Sequence, residues 1–160
     1  MMDLLPFRVC PDYSQFYLED SGGPYDAPED VEEKDLRRRF QVSSGIIAVY
    51  TYDPNTLSGE VVIEEDEPAL DLDEWDHVGE CRLNVTSGGL ALRTPTTPPS
   101  PFKMIPLVQG VYWVRIHFRG LWRYTSDDPN DPDRETLEFV RFTLWLPEYH
   151  MKVLKQWTGG

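Results

Sequence analysis

Ten carboxylates and no Lys or Arg lie between Glu60 and Glu80, in "EVVIEEDEPALDLDEWDHVGE". Trp75 and His77 sit inside that run. Four chemistries use such a cluster: a cation site, a catalytic carboxylate pair, a docking surface for a basic partner, or a solvated face. The histidines, His77, His117 and His150, are scattered, with no HxH or HExxH spacing to hold a transition metal. "DDPNDPDRE" (127–135) carries the oxygen ligands calcium prefers, but lacks the EF-hand glycine and is stiffened by two prolines. It reads as a solvated turn. A carboxylate pair across a sheet groove stays open, because 28 acidic residues make chance pairs certain.

Nucleophilic catalysis fares worse. There is no GxSxG elbow. Cys81 and His77 lie four residues apart on one strand, ~13 Å at the strand rise, too far for a dyad. The "SGG" stretches at 21–23 and 87–89 precede no helix, so neither makes a phosphate cradle. No catalytic residue, metal ligand or cofactor is assigned.

A formal charge of −13 repels nucleic acid and anionic membranes and attracts basic proteins. The 160 residues suit one domain, 1–160, with "TPTTPPSP" (94–101) as an internal crossing between sheets and 148–160 as a tail. Cys10 and Cys81 stand alone in apolar contexts and read as small buried hydrophobes in a reducing compartment. The start lacks a basic region followed by an apolar run, and no 18-residue apolar stretch occurs. These features point to the cytoplasm.

The elements that must position these residues are strands. Period-two alternation and frequent Pro/Gly turns mark segments at 13–20, 45–52, 59–65, 74–85, 90–94, 101–107, 111–120 and 136–147. "DPNTLSG" makes 45–52 and 59–65 look like a hairpin. Only "APEDVEEKDLRRRF" (27–40) has helical order: Pro28 at the first turn, acids early, arginines late. The fold class is therefore all-β, a two-sheet antiparallel sandwich of jelly-roll or Greek-key type, with about eight strands and at most one short helix.

Alternation also assigns faces. Tyr112, Val114, Ile116 and Phe118 oppose Trp113, Arg115, His117 and Arg119; Val140, Phe142, Leu144 and Leu146 oppose Phe139, Arg141, Thr143 and Trp145. If these strands pair, Trp113, Arg115, His117, Arg141 and Trp145 merge into one face. That face is a ligand platform, or else its arginines stack on neighbouring aromatics or an acidic loop covers them. Trp75 and His77 alternate with Cys81, Leu83 and Val85, which makes both inward-facing or half-buried. Pro68, Leu70 and Leu72 suggest that the acidic loop hugs the core.

"DYSQFYLED" (12–20), through Tyr13, Ser14, Gln15 and Phe16, resembles the opening strand of the competence protein J family, small acidic bacterial inhibitors of a DNA-entry nuclease. The order that follows is similar too: an acidic stretch, a "GIIAVYTY" strand, then a proline-edged acidic segment. The resemblance implies a non-catalytic protein that binds a basic enzyme, with Glu64, Glu65, Asp66, Glu67, Asp71, Asp73 and Glu74 leading the encounter electrostatically. The alternative is a small-molecule or carbohydrate-binding sandwich that uses the Trp113/Arg115/His117/Arg141/Trp145 face.

Overall fold

The structure is a computed structural model that describes residues 3–51, 55–96, 105–147, 157 and 159. Most of the 148–160 tail, His150 and residues 97–101 of the proline-rich connector lie outside the described residues. Ten strands and one helix follow in order: β1 (Asp3–Val9), β2 (Gln15–Asp20), α1 (Glu33–Arg38), β3 (Phe40–Ser43), β4 (Ile46–Tyr50), β5 (Leu57–Glu64), β6 (His77–Val85), β7 (Gly89–Arg93), β8 (Ile105–Pro106), β9 (Gly110–Arg119) and β10 (Phe139–Trp145). They form two five-stranded sheets. Sheet A runs β1-β5-β10-β9-β6 and sheet B runs β3-β4-β2-β7-β8.

The all-β sandwich expected from alternation is present, with three differences. The 45–52 and 59–65 segments are not a hairpin, because β4 belongs to sheet B and β5 to sheet A. A Pro/Asn/Gly turn signals a change of direction but does not say which sheet receives the next strand. The 94–101 connector does not cross between sheets: β7 and β8, on either side of it, pair in sheet B through Gly89↔Pro106 and Leu90↔Ile105. The sheets are also not wholly antiparallel, since β10 pairs with β5 in parallel from Phe139↔Ser58 to Trp145↔Glu64.

The core lies between the inner faces. Phe7, Phe16 and Phe142 meet with ring centroids 6.1 Å apart, and Leu18, Ile47, Val61, Leu83, Val114, Ile116 and Phe118 are all fully buried around them. Gly59 permits this packing, because a Cβ there would stand 2.2 Å from the Phe7 ring and 2.4 Å from the Val140 carbonyl oxygen. Cys81 joins the core, where burial foremost, then the Glu80 carboxylate, pushes its thiol up to about 12. Cys10 is exposed, contrary to the expectation for both cysteines.

The outer face of sheet B is closed by residues 21–38. Tyr17, Ile46, Ala48 and Tyr50 form a second apolar cluster under Tyr25, Ala27 and Leu36. The helix is shorter than its pattern: Pro28 lies outside it, and it begins at Glu33, where the Asp35 carboxylate accepts the Glu32 N–H at 2.9 Å. Among this cover, Arg93 donates to Glu19 at 3.0 and 2.8 Å and to the Tyr25 carbonyl at 2.8 Å. Asp20, fully buried, accepts from Gly22 N, the Tyr25 hydroxyl, and both the N–H and the hydroxyl of Thr86 and Ser87. Burial alone would raise its pKa, but the hydrogen bonds from Tyr25, Ser87 and Gly22 hold it down to about 2. Asp20 thus staples the β6–β7 turn to the end of β2.

Candidate functional site

The β9–β10 register delivers the face that alternation predicts: Trp113 lies opposite Trp145, Arg115 opposite Thr143, and His117 opposite Arg141. Arg115 stacks on Trp145 at 5.0 Å, and Arg82 stacks on Trp113 at 4.5 Å. The face is not an open platform. Arg115, His117 and Trp145 are 2%, 5% and 3% exposed, because the acidic loop, residues 65–76, lies over them. Trp113 is half-buried.

Arg115 is the clamp. Its Nη1 donates to the Pro68 carbonyl at 3.0 Å and to the Ala69 carbonyl at 3.4 Å. Its Nη2 stands 3.6 Å from the Glu67 carboxylate and its Nε 3.5 Å from that of Glu80. The far end of the loop is fixed by Asp76 N donating to the Phe118 carbonyl at 2.8 Å. The clamp acts through backbone carbonyls, so the loop stays in place while most of its carboxylates face water. Glu65, Asp66, Glu67, Asp71, Asp73 and Glu74 are exposed, and Glu64 is half-buried at the end of β5. Leu70 and Leu72 do not hug the core: they are 62% and 51% exposed.

Trp75 is half-buried, as alternation allows, but not on the inner side. The chain turns at 73–74 and bends at Asp76, so the alternation of β6 does not extend back to it. Trp75 therefore lies on the outer side, 4.7 Å from the His117 ring, with the Arg141 and Arg119 guanidiniums at 4.7 and 5.2 Å from its own. His77 does face inward. Its Nε2 is 2.7 Å from the Arg38 carbonyl oxygen and its ring meets Phe118 edge-on, as expected for a hydrogen-bonded core histidine. Arg141 also pairs with Glu60 of β5.

His117 is the perturbed group. Burial, then the guanidiniums of Arg141 and Arg115, lower its pKa to about 4 against the opposing pull of Asp71. The ring is neutral at neutral pH. Its Nδ1 is buried and has no hydrogen-bond partner among the described residues. No cluster of three or more His, Cys, Asp or Glu side chains among the described residues is arranged to hold a metal ion. No helix among them is long and apolar enough to cross a membrane.

No family model matches the sequence, and no curated protein does. Solved structures do share the fold. One is ComJ of Bacillus subtilis, described as the inhibitor of the DNA degrading activity of NucA: TM-score 0.67 at 12% identity, over 91% of this chain and 98% of that one. Another is described as crocagin biosynthetic gene J: TM-score 0.63 at 13% identity, over 92% and 99%. The resemblance first drawn from "DYSQFYLED" thus extends to the arrangement of both sheets.

Proposed function

We propose that this chain is a non-catalytic binding protein, an inhibitor or immunity protein that occupies the basic cleft of an enzyme such as a nuclease. The observation that carries the reading is the presentation of the acidic loop. Six exposed carboxylates sit on backbone that a buried arginine fixes to a rigid sheet. A preorganised anionic ridge loses little entropy on docking and steers a basic partner from a distance. The fold shared with ComJ, itself an inhibitor of a nuclease, supports the same reading. The protein acts as one domain, without cofactor.

The test is to immobilise the protein, pass lysate of its source organism over it at low salt, and elute with high salt. The expected eluate holds a basic enzyme whose nucleic-acid degradation is blocked when free protein is added back. Its association rate falls steeply with ionic strength. A partner that binds equally at high and low salt overturns the electrostatic reading.

A further inference from the structure

Beneath the acidic loop lies a cavity of about 260 Å³, open to solvent at its rim and bounded by the loop on one side and the outer face of sheet A on the other. Leu4, Val62, Ala69 and Trp75 give it apolar walls, and Arg115, His117 and Arg141 give it nitrogen donors. Two of these side chains are more than nine-tenths buried yet incompletely satisfied. His117 Nδ1 has no hydrogen-bond partner, and neither has Arg115 Nε, whose nearest carboxylate is held at ion-pair rather than hydrogen-bond geometry. A buried polar atom without a partner is costly, and neither Glu64 nor Asp71, which also line the cavity, hydrogen-bonds to these two atoms.

The charges around the cavity oppose one another. Arg115 and Arg141 face Glu64 and Asp71 across it. Asp71 is exposed and screened by water, whereas Arg115 is 2% exposed. At the His117 ring the guanidiniums win: both lower its pKa and only Asp71 raises it. The potential beside the imidazole is therefore positive.

We propose that this cavity binds a small free carboxylate with an apolar body. The carboxylate accepts from His117 and Arg115, and the body lies against Trp75, Val62 and Leu4. Of the exposed loop carboxylates Asp71 also lines the site, whereas Glu65, Asp66, Glu67, Asp73 and Glu74 do not, so ligand binding and partner binding are read out separately.

The experiment follows the His117 and Trp75 ring resonances of the full chain by NMR. Acetate, propionate, butyrate and benzoate are titrated in at neutral pH, with the corresponding amides and inorganic phosphate as controls. The expected result is a saturable shift that tightens about tenfold from acetate to butyrate, two buried methylenes. Bound carboxylate also raises the His117 pKa by about one unit or more. Ala69→Trp fills the cavity from the loop side and abolishes the shift while leaving the thermal midpoint unchanged; His117→Phe abolishes it on Trp75. Amides that bind as tightly as carboxylates overturn the proposal. So does the lack of any saturable shift at millimolar concentrations, or a crystal grown with butyrate in which only ordered water bridges His117 Nδ1 and Arg115 Nε.

Discussion

The two outer faces of the sandwich are each covered by a long excursion of the chain, and each cover is organised by an arginine. On sheet B the excursion is apolar underneath, and Arg93 meets a carboxylate, Glu19, that is itself 1% exposed. On sheet A the excursion is acidic. Arg115 is just as buried, but its carboxylate partners Glu67 and Glu80 are 67% and 37% exposed. The first cover packs on an apolar cluster; the second borders an open cavity, and its arginine has partners that reach water. One excursion therefore contributes to stability, while the other leaves its carboxylates facing water. Burial of the arginine alone does not distinguish them: the exposure of its partners does.

The largest expected effect breaks the closed side. Arg93→Ala leaves Glu19 buried and uncompensated and lowers unfolding free energy by about 3–5 kcal/mol, read by denaturant titration. Next comes Asp20→Ala, which strips the buried hydrogen-bond acceptor from Thr86, Ser87 and Tyr25 and costs about 2–3 kcal/mol in the same assay. Arg115→Met is predicted to differ sharply from Arg93→Ala. Its carboxylate partners reach water and its volume is kept, so global stability changes by less than about 1 kcal/mol. Amide exchange and proteolysis within residues 65–76 rise about tenfold. A loss as large as that from Arg93→Ala would erase the distinction between the faces.

Acid separates the two sides as well. The unfolded chain takes up a proton at His117 near 6.5, but the folded chain does so only near 4, so stability falls as pH drops from about 6.5 to 4. His117→Phe removes that slope. Asp20 acts lower: its stabilisation is intact above the ordinary carboxylate value of 3.8 and is lost as pH falls toward 2. Thermal midpoints from pH 7 to pH 2 check both. The smallest effect on stability comes from Glu65→Gln, Asp66→Asn and Glu74→Gln, each within about 0.5 kcal/mol of the parent. Together they slow association with a basic partner and flatten its salt dependence.

What the sequence discloses follows from where a local rule is also the global one. Tyr112 through Arg119 and Phe139 through Trp145 alternate without interruption, so their faces and mutual pairing are readable. Trp75 is not, because it follows a turn at 73–74 and is separated from β6 by a bend at Asp76, so the alternation does not reach it. Neither are Leu70 and Leu72, whose anchoring is replaced by Arg115 reaching backbone carbonyls 46 and 47 positions away. β1 escaped notice because Pro6 and Arg8 interrupt an apolar run; they suit an edge strand, which needs only one partner. Asp20 reads only as the last residue of the 13–20 strand, and the approach of Thr86 and Ser87 is what reveals it as a staple.

The parallel pairing of β5 with β10 bears on how the protein comes to be folded. Glu60 and Arg141, partners across that pair, are 81 positions apart. β1 can dock on one edge of β5 soon after both have left the ribosome. The other edge, carrying fully buried Val61, has no neighbour until β10 has been synthesised. Sheet A therefore closes late, in a high-contact-order step, and a nascent chain halted before residue 139 carries a bare hydrophobic strand edge open to mispairing.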